Sequence, residues 1–249
     1  MSAGFRGEQS RTNPAADRVA VVTGASRGIG AQLAGALSED GFTVVLVGRH
    51  QRTLETAADW LSGPALPVCG DVTDPADVQR IVRTVRAELG RVDVLVNNAG
   101  ARERDSTKPW EADADDWWHV VEVNLRGVML MSSAVLPGML DRRSGRIIDV
   151  SSGTGQRAEP RYSAYSVSKS AALRWTDNVV AGLGEDSPVR VVSASPGLVR
   201  TDMTETMWGP AGTVEFGSID PMVGFVRRFA AGELDHLHGQ FVHTVKDDY

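Results

Sequence analysis

The chain reads Val19-Ala20-Val21-Val22-Thr23-Gly24-Ala25-Ser26-Arg27-Gly28-Ile29-Gly30 near its amino end, an apolar run followed by a glycine-rich turn. The apolar run predicts a buried strand, and the pattern of residues 29–37 predicts a helix. Glycines allow a tight turn and a close approach of the backbone to a ligand. The free N–H groups and the positive dipole end of the helix suit a pyrophosphate. The segment therefore predicts a phosphate-binding turn, with a plain helix-packing turn as the alternative.

The same alternation of strand and helix continues along the chain. Strands are expected at 19–22, 43–47, 66–69, 92–96, 146–150 and 189–194, with a seventh at 240–245. Helices are expected at 29–37, 53–61, 75–89, 113–140 and 163–183, the third capped by Asp74 and the fourth kinked or ended early at Pro137. The strands are unbroken Val/Ile/Leu runs, which suit a parallel sheet buried on both faces. The pattern predicts an α/β fold with a doubly wound parallel sheet of about seven strands.

Composition and charge narrow the class of protein. The chain has 249 residues and a formal net charge of −6, so no global field attracts nucleic acid or an anionic membrane. A single cysteine excludes an internal disulfide, and we expect no apolar stretch of transmembrane length. Residues 1–17 are polar and lack the apolar middle of a signal peptide, so they are predicted to be a loosely attached tail. These points predict a cytoplasmic protein with one domain over 18–249.

A second motif carries acid–base chemistry. Tyr165 and Lys169 stand four residues apart, so on a helix they share a face. A fixed cation nearby favours the phenolate and lowers the tyrosine pKa, which makes the pair a candidate general acid/base. Ser152, thirteen positions before Tyr165, is a hydroxyl that could hold the reacting oxygen; Ser151 is its rival.

These motifs stand in register with others. The turn, with Asn97-Asn98-Ala99-Gly100, Asn124, Ser152, Tyr165-x-x-x-Lys169 and Pro196-Gly197, resembles the short-chain dehydrogenase/reductase family, in particular its single-domain NADP-preferring type similar to 3-oxoacyl-ACP reductases. The likeness covers about residues 18–203. It implies a Rossmann-like fold and an oxidoreductase that acts on CH–OH groups with a nicotinamide cofactor. It leaves the substrate open among oxoacyl thioesters, polyketide-type ketones, steroids and sugars.

The resemblance also implies roles for individual residues. Tyr165 exchanges a proton with the substrate oxygen, and Lys169 lowers its pKa and binds the nicotinamide ribose. Ser152 bonds the substrate oxygen, and Asn124 holds a water near the lysine. Cofactor contacts are implied for Gly24, Ser26, Arg27, Gly28, Ile29, Gly30, Arg49, Asp71, Val72, Asn98, Ala99, Gly100, Tyr165, Lys169, Pro196, Gly197, Val199 and Thr201.

The end of the second strand indicates which nicotinamide is used. NAD sites carry an acid there for the ribose 2′-hydroxyl, whereas this chain has Gly48 and Arg49. Arg49 can pair with a 2′-phosphate, and Arg27 can add a second positive group. We therefore predict NADP(H) as the cofactor; the alternative is that both arginines are merely solvated.

The remaining expectations concern substrate, assembly and metals. Residues 201–239 are expected to form an irregular lid or binding loop, with Met207 and Trp208 as candidate substrate contacts. No metal site is expected, because Asp235-His236-Leu237-His238 lacks further ligands. The family implies a homo-oligomer, dimer or tetramer, although the carboxyl end lacks the usual Asp-Gly-Gly. The alternatives to a ketone reductase are a non-catalytic NADP(H)-binding sensor or scaffold, and a dehydratase or epimerase.

Overall fold

A seven-stranded, wholly parallel sheet forms the centre of the protein in a computed structural model that describes residues 18–209 and 214–249. The predicted tail, 1–17, lies outside the described residues. The strand order is β3-β2-β1-β4-β5-β6-β7, which confirms the predicted doubly wound, Rossmann-like sheet. The strands are β1 Val19–Thr23, β2 Thr43–Gly48, β3 Ala65–Cys69, β4 Val94–Asn97, β5 Gly145–Val150, β6 Val189–Ser195 and β7 Phe241–His243.

Helices cover both faces of this sheet. They are α1 Gly28–Glu39, α2 Gln51–Ala58, α3 Pro75–Leu89, α4 Ala114–Val121, α5 Gly127–Asp141, α6 Ser163–Leu183, α7 Asp202–Trp208 and α8 Asp220–Ala231. The ends of α3 show why its sequence folds this way. Asp74 accepts the Ala76 N–H at the amino end, and Gly90 takes a left-handed conformation, φ 77°, at the carboxyl end.

Two apolar layers enclose the sheet. On one face, Leu33 and Leu37 of α1 pack with Phe225 and Phe229 of α8 against β-strand side chains. On the other face, the buried side chains come mainly from α3 and α5. Both faces are therefore dry, which explains why the strands are unbroken apolar runs.

The helix predicted over 113–140 has a different break. A π-helical turn, Glu122–Arg126, separates α4 from α5, and Asn124 lies inside it. The predicted early end at Pro137 is wrong, because α5 runs through this residue to Asp141. A π turn holds one residue more than an α turn and is common at functional sites.

The segment predicted to be irregular, 201–239, is largely helical. It contains α7 and α8, and residues 210–213 lie outside the described part. A capping box starts α7: the Thr201 side chain accepts the Thr204 N–H, and the Thr204 hydroxyl accepts the Thr201 N–H. Among the described glycines of this segment, Gly209 follows α7 directly and Gly217 precedes α8.

One helical stretch corrects an expectation about membranes. Within 18–209 and 214–249, residues Ala114–Asp141 are long and apolar enough to cross a bilayer by length and composition alone, and an 18-residue window inside them has a mean hydropathy of 1.3. In the folded domain this stretch, α4 to α5, packs against α3, α6 and the sheet. Core helices of globular proteins meet the same criterion.

Candidate active site

The glycine turn lies where the strand order reverses, between β1 and β4. Gly24 and Gly28 adopt φ values of 64° and 58°, which favour glycine. A Cβ on Gly30 would lie 2.4 Å from the Asn98 Nδ2 and from the Gly24 carbonyl oxygen. The side chain of Arg27, the N-cap residue of α1, makes no capping hydrogen bond, which leaves first-turn amides available to a ligand. The residues present therefore fit a pyrophosphate, which such a helix end binds well.

Hydrogen bonds fasten this turn to the end of β4. The Asn98 amide donates to the carbonyl oxygens of Thr23, 2.9 Å, and Gly24, 3.2 Å. In return, the Thr23 hydroxyl accepts the N–H groups of Asn98 and Ala99, both at 3.0 Å. Asn98 and Ala99 thus shape the floor of the cleft. Thr23 was not among the predicted site residues.

The ribose end of the cleft lies at β2 and β3. Arg49 follows β2 directly, and its side chain is exposed. After β3, the Asp71 Oδ1 accepts the backbone N–H and the hydroxyl of Thr73, while Val72 is buried. The carboxylate of Asp71 therefore stabilises its own loop.

Arg27 has a partner that the sequence did not predict. Its guanidinium forms an ion pair with Asp202 in the first turn of α7. Both side chains are about three-quarters exposed, at 76% and 77%. The pair links the glycine turn to α7 across the mouth of the cleft, and Arg27 must exchange this partner to meet a 2′-phosphate.

The predicted acid–base group comes together on α6. Lys169 Nζ lies 5.8 Å from the centroid of the Tyr165 ring and donates to the Val150 carbonyl oxygen at 2.8 Å. The Ser152 hydroxyl lies against Tyr165, and it also accepts from the Thr154 hydroxyl at 3.0 Å. Ser151 is buried and its hydroxyl has no partner among the described residues. The structure thus places Ser152, rather than its rival, beside the phenol.

Burial dominates the electrostatics of this pair. It raises the pKa of Tyr165, and the hydrogen bond with Ser152 offsets part of that rise. It also lowers the pKa of Lys169 to about 8, against the opposing charge of Asp149. In the protein by itself the net shift of the Tyr165 pKa is therefore upward, because burial is its largest cause; the lowering by Lys169 stays a prediction.

Asn124 is held by the segment that follows β4. Its Oδ1 accepts the Ala101 N–H at 2.8 Å, and its Nδ2 donates to the Ala101 carbonyl oxygen at 2.8 Å and to the Ser168 hydroxyl at 2.9 Å. Gly100 packs against it, since a Cβ there would lie 3.3 Å from Asn124 Oδ1. The π turn therefore brings Asn124 into contact with Ser168 of α6, the residue that precedes Lys169.

The turn after β6 closes the other side of the cleft. Gly197 takes φ 75°, and Val199 is buried and bridges to Gly217. The Thr201 hydroxyl is used as the cap of α7, an additional role beside the predicted cofactor contact. The turn with Pro196 thus leads directly into α7.

Residues at the end of α7 reach the catalytic helix. The Tyr162 hydroxyl donates to the Met207 carbonyl oxygen at 3.1 Å, and the Trp208 ring packs edge-on against Tyr162 at 6.1 Å. Arg161 lies 4.9 Å above the Trp208 ring. Met207 is buried and Trp208 is half-buried, so Trp208 is the better placed of the two to meet a substrate.

The structure adds two buried acids that the sequence did not reveal. Glu103 accepts the N–H groups of Ala164 and Tyr165 at the start of α6. Asp149 is buried in β5, and its charge acts on Lys169. Neither acid belongs to a local motif. The only hint in the sequence was the position of Asp149 inside an otherwise apolar strand.

The acidic and histidine residues of 235–238 have structural partners. Asp235 pairs with Arg146, 2.8 Å between Asp235 Oδ2 and Arg146 Nη2. The Nδ1 atom of His238 accepts the Val191 N–H at 3.0 Å. Within the described residues, no group of three or more His, Cys, Asp or Glu side chains is arranged to hold a metal.

A glycine turn at the switch point of a parallel sheet, with a tyrosine and a lysine on one helix face, defines a nucleotide-binding oxidoreductase of the Rossmann-like class. The sequence model of the short chain dehydrogenases matches residues 18–210, and the chain belongs to that family.

Individual relatives agree with this assignment. An uncharacterised oxidoreductase of Staphylococcus saprophyticus is 37% identical over 198 residues, 78% of this chain and 83% of its own. An actinorhodin polyketide ketoreductase solved with NADPH superposes with a TM-score of 0.84 at 27% identity, over 91% of this chain and 95% of its own. A gluconate 5-dehydrogenase of Burkholderia cenocepacia, in complex with NADP and tartrate, gives 0.83 at 26% identity, over 91% and 92%.

Proposed function

We propose that the protein reduces a ketone to a secondary alcohol with NADPH, or runs the reverse oxidation with NADP⁺. The observation that carries the proposal is the meeting of Tyr165, Lys169 and Ser152 beside the carboxyl end of β5. Bound NADPH supplies a hydride to the carbonyl carbon. Tyr165 supplies the proton to the oxygen, so that C=O becomes CH–OH, and Ser152 orients that oxygen.

Lys169 serves this chemistry by its charge. Its ammonium lies close to the phenol and is held by the Val150 carbonyl. A positive charge there stabilises the phenolate that remains after proton donation. Asn124 sits next to this group and is proposed to hold the water that returns the proton.

The test of the reaction is loss of nicotinamide absorbance with a panel of ketones. We expect turnover with at least one ketone, and a fall of about a hundredfold or more in Tyr165→Phe, because the acid is removed. The matched control is Tyr249→Phe, whose ring packs on Phe225 of α8. Binding of NADPH without turnover across the panel would favour a sensor, and product without net cofactor consumption would favour a dehydratase or epimerase.

The preference for NADP(H) is proposed from the end of β2. Gly48 replaces the acid that would bind a ribose 2′-hydroxyl, and the exposed Arg49 is available to a 2′-phosphate. We expect Arg49→Ala to weaken NADPH binding about tenfold to a hundredfold and to leave NADH nearly unchanged. Arg83→Ala, an exposed arginine of α3, is the control. Tighter binding of NADH than NADPH, unaltered in Arg49→Ala, would contradict the proposal.

The substrate contacts and the assembly state are also proposals. We propose that Trp208, with Met207 behind it, lines the substrate entrance next to Tyr162.

We further propose a homo-oligomer in the cytoplasm. It is supported by the exposed Trp118 and Val167, which border a groove of about 430 Å³ between α4 and α6. Light scattering on the wild type and on Trp118→Glu tests the assembly; a monomer in both would contradict it.

A further inference from the structure

A row of polar side chains crosses the otherwise apolar sheet beneath the catalytic helix. Asn97 of β4, Asp149 of β5 and Ser193 of β6 are direct neighbours in the strand register. All three are buried, with Asp149 only 4% exposed. Two helical residues complete the row from above, Ser132 of α5 and Thr176 of α6.

Both carboxylate oxygens of Asp149 accept hydrogen bonds. Asn97 Nδ2 donates to Oδ1 and the Thr176 hydroxyl donates to Oδ2, both at 2.7 Å. The Thr176 hydroxyl has another acceptor, the Ala172 carbonyl oxygen, at a longer 3.1 Å, and it accepts in turn from Ser193 at 3.2 Å. The hydrogen bonds that Asp149 accepts favour its ionised form, and burial opposes them by raising its pKa above the ordinary value.

The hydrogen bonds of Lys169 and Asp149 bring both side chains to the same part of β5 and α6. The ammonium donates to the carbonyl oxygen of Val150, the residue after Asp149, and Thr176 stands two helical turns from Lys169 on the same face of α6. Tyr165 lies beside the ammonium on its own helix; the neutral Ser152 contacts Tyr165, and the neutral Asn124 in the π turn contacts Ser168. Among the described residues, Asp149 is the charged side chain that acts on Lys169.

We infer that Asp149 is a positioning residue for the proposed reaction: its buried carboxylate is the counter-charge that keeps Lys169 protonated beside Tyr165. Asp149 touches neither substrate nor cofactor and acts only through the lysine. The inference rests on the proposed function for its chemical meaning, since a neutral lysine could not stabilise a phenolate.

The size of the effect is large enough to matter at neutral pH. Burial lowers the Lys169 pKa, and the charge of Asp149 offsets part of that fall, so the pKa lies at about 8. Loss of the Asp149 charge is expected to lower the Lys169 pKa by about one further unit. The charged fraction of the lysine at pH 7.4 would then fall from about four-fifths to about one-third.

The scarcity of lysine makes this measurable without any turnover. The chain contains only Lys108, Lys169 and Lys246, so lysine labelled with ¹³C at Cε gives few NMR signals. Loss of one signal in Lys169→Met assigns the catalytic lysine. In the full chain, we expect the titration midpoint of this signal to fall by about one pH unit in Asp149→Asn, which keeps the shape and an oxygen acceptor for Asn97.

The control is Asp93→Asn, the same substitution at a buried carboxylate near the opposite end of the sheet, where Asp93 pairs with Arg91. It should leave the Lys169 midpoint unchanged. If Asp149→Asn does not fold, Asp149→Thr removes the same charge with a strand-forming side chain, and the same fall is expected. An unchanged midpoint in a folded Asp149 variant, or an equal fall in Asp93→Asn, would overturn the inference. Because the lysine titration needs no substrate, its outcome is separate from that of the ketone assay.

Discussion

Glu103 caps the helix that carries Tyr165 and Lys169. The residue before α6, Tyr162, makes no capping hydrogen bond with its side chain. Instead, Glu103 reaches in from the segment after β4 and accepts the N–H groups of Ala164 at 2.5 Å and Tyr165 at 3.3 Å. A carboxylate there satisfies two helix-end donors and meets the positive end of the dipole. The backbone of Tyr165 is thereby fixed.

Removing this cap should cost stability and activity together. Glu103 is 4% exposed, so Glu103→Ala leaves two N–H groups without their acceptor in the interior. We expect a loss of about 1–3 kcal/mol in the free energy of unfolding, measured with urea, and slower turnover. Glu103→Gln keeps an acceptor and should lose less. Glu111→Ala, on an exposed side chain, should change stability by less than about 0.5 kcal/mol. A fully stable Glu103→Ala would contradict the capping role.

The pH dependence of the phenol follows from its burial. Burial disfavours the phenolate, so the pKa of Tyr165 lies above its ordinary value. Tyrosinate absorbance, taken as the difference between the wild type and Tyr165→Phe without cofactor, should therefore appear only above pH ~10. A difference that develops near neutrality would mean that Lys169 alone outweighs desolvation.

At the scale of elements, α1 offers a matched pair of glycines. Gly30 faces the turn, where a Cβ would clash with Asn98 and Gly24, whereas Gly35 has nothing within 4 Å of its Cβ position. Gly30→Ala should destabilise the protein by about 2 kcal/mol or more, because the neighbours are backbone and a pinned amide. Gly35→Ala should stabilise it by about 0.5–1 kcal/mol through helix propensity. Thermal unfolding of both variants decides this; equal effects would refute the close-approach argument.

Local chemistry explains which elements the sequence could predict. Asp74 before Pro75 starts α3, and short runs rich in apolar residues indicate the strands, because these features act within a few residues. The break at Asn124 is different. The π turn is held by hydrogen bonds from Asn124 to Ala101 and Ser168, which are distant in sequence. Pro137 was the only local breaker, and the packed helix tolerates it.

The site divides in the same way. Tyr165 and Lys169 share a face of one helix, so their spacing alone predicted their meeting. Glu103 lies 61 residues from Ala164, and Asp149 lies 27 residues from Thr176. Such contacts arise only when the sheet order brings β4, β5 and α6 together. Similarly, Asp202 reaches Arg27 only because α7 folds over the cleft.

For the whole molecule, the buried charges of Lys169 and Asp149 make the stability depend on pH. The pKa of Lys169 is about 8 in the folded protein against 10.5 for a free lysine. Between these values the unfolded chain binds more protons, so the stability contributed by this group rises with pH and is absent below about pH 8. The stability of the wild type relative to Asp149→Asn with Lys169→Met should thus increase by about 2 kcal/mol between pH 8 and 10.

At pH 7 the double variant should be at least as stable as the wild type, since it removes two desolvated charges. Urea unfolding at several pH values measures both effects. A relative stability that is flat between pH 8 and 10 would show that the lysine is not desolvated. A double variant that is inactive but more stable would show that Lys169 and Asp149 lower the stability of the fold while serving its activity.

The polar row of Asn97, Asp149 and Ser193 has a consequence for folding itself. Parallel strands of near-identical Val and Ile runs offer little to distinguish one alignment from another shifted by a residue or two. A shift of β5 by one position would turn Asp149 into the opposite apolar layer, away from the Asn97 amide and the Thr176 hydroxyl. Misaligned pairings are thereby penalised by a stranded carboxylate, and the native alignment of β4, β5 and β6 is selected during assembly.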